Sequence, residues 1–226
     1  MSSYSRQPFA AYLAPFAACM VLTALEGKLP GAVWPWASAA KLAMVIGLLW
    51  RFRGSYPKPR GTGVVPALVF GVAMGFVWIW LANFDCARFL PEAFRSIIVP
   101  TRQGFDPSTI DSPAGRAAFV IVRLAGLALV VPLMEEVFWR GFLLRWFVRD
   151  DFHTVPEGAA NRTGFLAATG LFVAVHPELL AALVWALAAH LVWTRGKNLW
   201  ANVAFHAGSN AALGAWILTT RSWHLW

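Results

Sequence analysis

Long stretches without a charge set the pattern of this chain. Residues 7–25, 61–84 and 198–220 contain no Asp, Glu, Lys or Arg. A helix needs about 20 mainly apolar residues to cross the hydrocarbon core of a bilayer, so each stretch can serve as a span. Reading every apolar run in this way predicts helices at 8–26, 32–50, 64–83, 116–134, 164–176, 179–194 and 199–219. Segment 135–149 continues helically from the fourth of these, and its Arg145 and Arg149 carry it towards an interface. The expected fold is therefore all-α, a polytopic transmembrane bundle of about seven to eight helices, the eighth depending on how 135–149 is counted. Pro and Gly between Gly54 and Gly63 mark a connector, and Pro91, Pro100, Pro107 and Pro113 break 84–115 into a loop. No repeat divides the chain. We read 1–115 as N-terminal spans and loops and 116–226 as the helices that carry the polar motifs, within one integrated membrane domain.

Composition supports the membrane class and narrows the partners. With 58% hydrophobic and 13% charged residues, the chain has too little polar surface to solvate a domain of this size. The net charge of +8 could suggest nucleic acid, but the basic residues sit between apolar runs and form no single stripe. The expected partner is the lipid bilayer, with no nucleic acid. With the N-terminus cytoplasmic, eleven basic residues fall inside: Arg6, Arg51, Arg53, Lys58, Arg60, Arg140, Arg145, Arg149, Arg162, Arg195 and Lys197. Six fall outside (Lys28, Arg88, Arg95, Arg102, Arg116 and Arg221), so the positive-inside rule places the N-terminus in and the C-terminus out. The expected location is a plasma membrane, the bacterial inner membrane by length and composition. The first apolar run is too long for a signal-peptide core and is read as a retained span. Two cysteines, Cys19 and Cys86, give no disulfide framework and no thiolate zinc site. Trp34, Trp36, Trp50, Trp193, Trp200, Trp223 and Trp226 fall near span ends, where interfacial anchors belong.

Ionisable residues inside apolar runs are costly, roughly 2.5–3.5 kcal/mol each on insertion scales, and call for an explanation. Glu136 and Arg140 are four apart and can neutralise each other on one helical face. Glu135 projects about 100° away and is free for another partner, while Pro132 removes a backbone donor just before the pair. The bland alternative is an ion-paired acid doublet at a helix end. His176 closes an apolar run and precedes Pro177, which disfavours helix at the residue before it; it could equally snorkel at a span end. His206 and Asn210 share one face of the last span, with Asn202 one turn earlier, placed to orient the His206 ring. Helix–helix hydrogen bonding would explain such residues individually. Ser209 points to the flank of that face and lies in no Gly-x-Ser-x-Gly motif. His190 reads as a packing histidine, and Lys41 and Arg123 as snorkelling stems without chemistry. A carboxylate and a histidine converging on water make a general base, and a histidine with an asparagine can hold an oxyanion.

These residues carry a resemblance. Glu135-Glu136-x-x-x-Arg140, Phe172-x-x-x-His176 and His206-x-x-x-Asn210, in that order, resemble the three motifs of the CAAX-protease and bacteriocin-processing family over about 116–220. Its members are intramembrane glutamate endopeptidases related to type II CAAX prenyl endopeptidase. The resemblance implies a metal-independent enzyme without cofactor that cleaves a membrane-associated or secreted polypeptide. It also implies Glu135 as base, His176 as its partner on the water, and His206 with Asn210 as the oxyanion site. Glu136, Arg140 and Asn202 are expected in support. A zinc site of Glu135, His176 and His206 is an alternative, although no His-Glu-x-x-His motif occurs. A non-enzymatic immunity or adaptor protein is another. A proton-coupled transporter is a third, without the repeat symmetry many transporters display.

Overall fold

The computed structural model describes residues 7–84 and 104–225. Arg6, Cys86, Arg88, Pro91, Arg95, Pro100, Arg102 and Trp226, to which the sequence assigned loop, topology or anchor roles, lie outside the described residues. Among the described residues there are seven helices and no strand. They are α1 (Gln7–Glu26), α2 (Trp34–Arg51), α3 (Val64–Ala82), α4 (Pro113–Trp146), α5 (Arg162–Ala174), α6 (Leu179–Gly196) and α7 (Leu199–Thr220). The all-α bundle expected from the apolar runs is the fold observed, and 135–146 continues the fourth helix.

Their starts follow local chemistry. Ser112 caps α4 by accepting the Gly115 N–H, with Pro113 as the first helical residue. Asn161 caps α5 in the same way, and Asn198 caps α7 through the Trp200 N–H. The buried Asn198 also donates to the carbonyls of Arg60 and Thr62 at 3.1 and 2.7 Å. That ties the beginning of α7 to the connector before α3.

Among the described residues, four helices are long and apolar enough to cross a membrane: α1, α3, α4 and α6. The sequence led us to expect seven crossings, and the other three helices differ for identifiable reasons. At 13 residues α5 is only about 20 Å long, short of the ~30 Å hydrocarbon core. Lys41 lowers the apolarity of α2, and Asn202, His206, Ser209 and Asn210 lower that of α7. Exposed apolar side chains such as Val65, Val69, Trp80, Ile121 and Leu129 face outward, as a lipid-facing surface requires.

Two features position the site. First, α3 and α7 are in backbone contact. A Cβ at Gly71 would lie 1.9 Å from the Phe205 carbonyl oxygen, and one at Gly208 would lie 2.4 Å from that of Leu68. Small residues permit this approach, which drives packing where no hydrophobic effect acts between helices. Second, α4 contains two π-helical stretches, Gly126–Val130 and Val137–Leu143, on either side of Glu135. From Met134 to Arg145 every residue is buried, so this segment runs through the centre of the bundle.

Two surface assignments need correction. Trp193 is fully buried and donates its indole N–H to the Ala159 carbonyl at 3.0 Å, because the loop between α4 and α5 folds over it. Lys41 does not snorkel. Its ammonium pairs with Glu26 at the end of α1 and donates to Thr23 at 3.2 Å.

Candidate active site

Glu135, His176, His206 and Asn210 line one cavity of about 180 Å³, together with Trp78, Glu178 and Trp185. They come from three places: α4, the turn after α5, and the middle of α7. The structure thus brings together the four residues singled out from the sequence.

Glu135 and Glu136 separate as adjacent helical positions must. Glu135 is 6% exposed, and its Oε2 is buried without a hydrogen-bond partner among the described residues. Glu136 is completely buried, and its Oε1 accepts from Arg140 Nη1 and from His206 Nδ1, each at 3.0 Å. Arg140, itself buried, lies over the rings of Trp185 and Phe172 at 5.6 and 6.0 Å. The expected Glu136–Arg140 pair therefore exists, and it does more than neutralise charge: Glu136 also holds a histidine of another helix.

That bond corrects one expectation. Asn202 was expected to orient the His206 ring from one turn away. Its amide instead donates to the Ala189 carbonyl of α6 at 2.9 Å. The Ala189 carbonyl takes the Asn202 amide and the Glu136 carboxylate takes the imidazole, so each finds its partner on another helix.

The two histidines are held alike. His176 Nδ1 lies 2.7 Å from the Phe172 carbonyl oxygen. A carbonyl can only accept, so Nδ1 carries the hydrogen and Nε2 is left for chemistry. Helix α5 ends at Ala174, two residues before His176, so the ring leaves the helical path and stacks on Phe172 with centroids 4.2 Å apart. At His206 the partner of Nδ1 is the same Glu136 oxygen that accepts from Arg140, so an Nδ1–H suits it. Its ring meets the edge of Trp185 at 4.5 Å.

Asn210 donates to the Leu127 carbonyl at 2.8 Å. In π geometry that carbonyl would pair with residue 132, which is a proline and has no N–H. The Pro132 visible in the sequence thus leaves an acceptor that fixes Asn210. Ser209 accepts from the Trp185 indole at 3.0 Å and donates towards the carbonyls of Gly71 and Phe205, so its hydroxyl serves packing. His190 packs against Phe165 with ring centroids 4.4 Å apart.

Sequence reasoning missed Trp185, Trp78 and Glu178. Glu178 was visible as an acid beside Pro177 in an apolar region. Trp185 and Trp78 have no local signal, because their contacts are with His206 and His176 on other elements. Among the described residues, no group of three His, Cys, Asp or Glu side chains is disposed to hold a metal ion.

Residues 117–212 match the family model described as type II CAAX prenyl endopeptidase Rce1-like. No curated protein and no solved structure matches the chain. The matched stretch contains Glu135, His176, His206 and Asn210, and it lies within a bundle of membrane-crossing length and apolarity. Over residues 117–212, therefore, the chain is similar to the family described as type II CAAX prenyl endopeptidase Rce1-like, and the similarity spans all four residues of the cavity.

Proposed function

We propose that the protein is an intramembrane glutamate endopeptidase that hydrolyses a peptide bond of a membrane-associated or secreted polypeptide without a metal ion. The observation that carries this reading is the Glu135 Oε2, buried, without a partner among the described residues, and in one cavity with two imidazoles. A water between Glu135 and His176 donates one hydrogen to the His176 Nε2 lone pair and loses the other to the Glu135 carboxylate as it attacks the carbonyl carbon. General-base assistance of this kind contributes about 10²–10⁴-fold. The developing oxyanion is held by the second N–H of Asn210, the first being spent on Leu127. His206 assists from Nε2. Because its Nδ1–H is committed to Glu136, donation from Nε2 requires the doubly protonated ring. Glu135 then returns its proton to the departing amine, and the C–N bond breaks.

The excess of basic residues in the segments assigned to the cytoplasm supports an N-terminus on that side. The test is quantitative proteomics of cell membranes with the active protein and with Glu135→Gln, each with and without a chelator. A cleavage product that depends on Glu135 and persists under chelation is expected. Products identical in both strains refute proteolysis, and loss of the product under chelation refutes the metal-free mechanism.

A further inference from the structure

A second cavity, of about 250 Å³, lies between α1, α2 and α4. Glu135 lines this cavity as well as the first, and Leu127 and Val131 of α4 form the partition between them. At ~30 Å³ per water the space would take roughly eight waters, far more than a packing defect. A polypeptide lying across Glu135 has this cavity on one side of its scissile bond.

Its wall is apolar except for a band of Thr23, Ser38, Lys41 and Arg123, with Glu135 at the partition. The band is organised. Glu26, just behind it, receives Ser38 on one carboxylate oxygen and Lys41 on the other. The Lys41 ammonium has three N–H groups. One goes to Glu26 and one to Thr23 at 3.2 Å, which leaves the third for an acceptor in the cavity that Lys41 lines. Its side chain is only 15% exposed.

We propose that this cavity is a substrate subsite in which Lys41 binds a carboxylate of the polypeptide, carried either by an acidic side chain or by the chain's C-terminal end. The charges that face the space are Lys41 and Arg123 at the band and Glu135 at the partition. Charge-assisted hydrogen bonds to a carboxylate are about twice as strong as those to a neutral acceptor. Glu135 repels a carboxylate from the catalytic end, so the two ends of the cavity sort the anion from the scissile carbonyl and set the register of the chain. This assignment takes its meaning from the endopeptidase reading, but it is a statement about binding and is testable without turnover.

The probes are three peptides: N-acetyl-Leu-Leu-Leu with a free C terminus, the same peptide as its C-terminal amide, and N-acetyl-Leu-Glu-Leu amide. Affinity for the full-length protein in detergent is read from the ligand-induced rise in its melting midpoint. Lys41→Met would leave Glu26 unpaired, so the informative variant is Glu26→Gln/Lys41→Met, which removes both charges. Wild type is expected to bind at least one carboxylate peptide tenfold or more tightly than the amide, and the double variant to bind them alike. Whichever carboxylate peptide shows the preference identifies the source. Equal binding of all three by wild type, no binding of any, or a preference that survives in the double variant overturns the proposal. Because the readout is binding, it separates from the function: a preference without any proteolysis keeps the subsite and sinks the endopeptidase, and the reverse pattern does the opposite.

Discussion

Replacing Glu136 by leucine removes the partner of two groups at once. Arg140 is 4% exposed, and among the described residues its Nε lacks a partner and its carboxylate contact is the 3.0 Å bond to Glu136. Without Glu136 the guanidinium keeps only its approach to the faces of Trp185 and Phe172, worth about 0.5–2 kcal/mol each. Breaking a buried ion pair from one side costs about 3–5 kcal/mol, because the surviving charge is left uncompensated. Glu136→Leu should therefore lower the unfolding free energy by about 3–5 kcal/mol, two orders of magnitude or more in the folding equilibrium. Substituting both members, as Glu136→Leu/Arg140→Met, removes the stranded charge, and replacing a whole buried pair by apolar residues is often neutral. The double variant should return to within about 1 kcal/mol of wild type. Neither variant should regain proteolysis, since His206 Nδ1 has lost its acceptor in both. The assay is reversible unfolding in mixed micelles followed by circular dichroism, alongside cleavage by membranes. A double variant as unstable as the single one would refute the reasoning, as it would show that the stranded charge is not the source of the loss.

Other outcomes follow from the same geometry. Gly71→Ala forces α3 away from α7, since its Cβ would sit 1.9 Å from the Phe205 carbonyl oxygen. Overpacking costs typically about 1–3 kcal/mol, and activity should fall with it because His206 adjoins that contact; an unchanged melting midpoint would contradict this. Asn202→Ala should cost about 0.6–1.7 kcal/mol of stability, the range of interhelical hydrogen bonds in a bilayer protein, and leave kcat intact, as Asn202 bonds Ala189. A collapse of kcat in the folded variant would instead tie Asn202 to His206. His153, in the loop between α4 and α5, is held below its ordinary value of 6.5, by burial first and by the Arg145 cation second. The unfolded chain therefore takes up this proton before the folded one, and stability is fully present above about pH 6.5 and falls as the pH drops through the lower folded value. His153→Gln should flatten that dependence between pH 7 and 5; parallel melting curves for variant and wild type would show that another group is responsible.

The parts of the site legible in the sequence are those with helix-local causes. Glu136 and Arg140 meet because four residues make about one turn, and Glu135 is set apart because one residue makes about 100°. Pro132 and Pro177 announced breaks, and the break after Ala174 is where His176 leaves its helix. What was not legible depends on partners distant in the chain. The Glu26–Lys41 pair joins two helices across a turn, and nothing near Lys41 distinguishes it from a snorkelling stem. Trp193 sits near a span end like an interfacial anchor, yet a loop covers it. The second π stretch, Val137–Leu143, contains no proline and had no forewarning.

The sequence by itself determined that the chain is a helical membrane bundle, because partition into lipid depends on the apolarity of each run and hardly on its neighbours. It also determined which polar residues needed an explanation, since each is costly wherever the helices pack. Only the tertiary structure decided their partnerships. Glu136 rather than Asn202 holds His206, Leu127 holds Asn210, and Glu135 is left with an oxygen that none of the described residues satisfies. The reason is geometric: a helix presents the same stripe of side chains whatever it packs against. Which groups meet across α3, α4 and α7 is fixed by how closely their backbones approach, and here glycines at 71 and 208 set that distance.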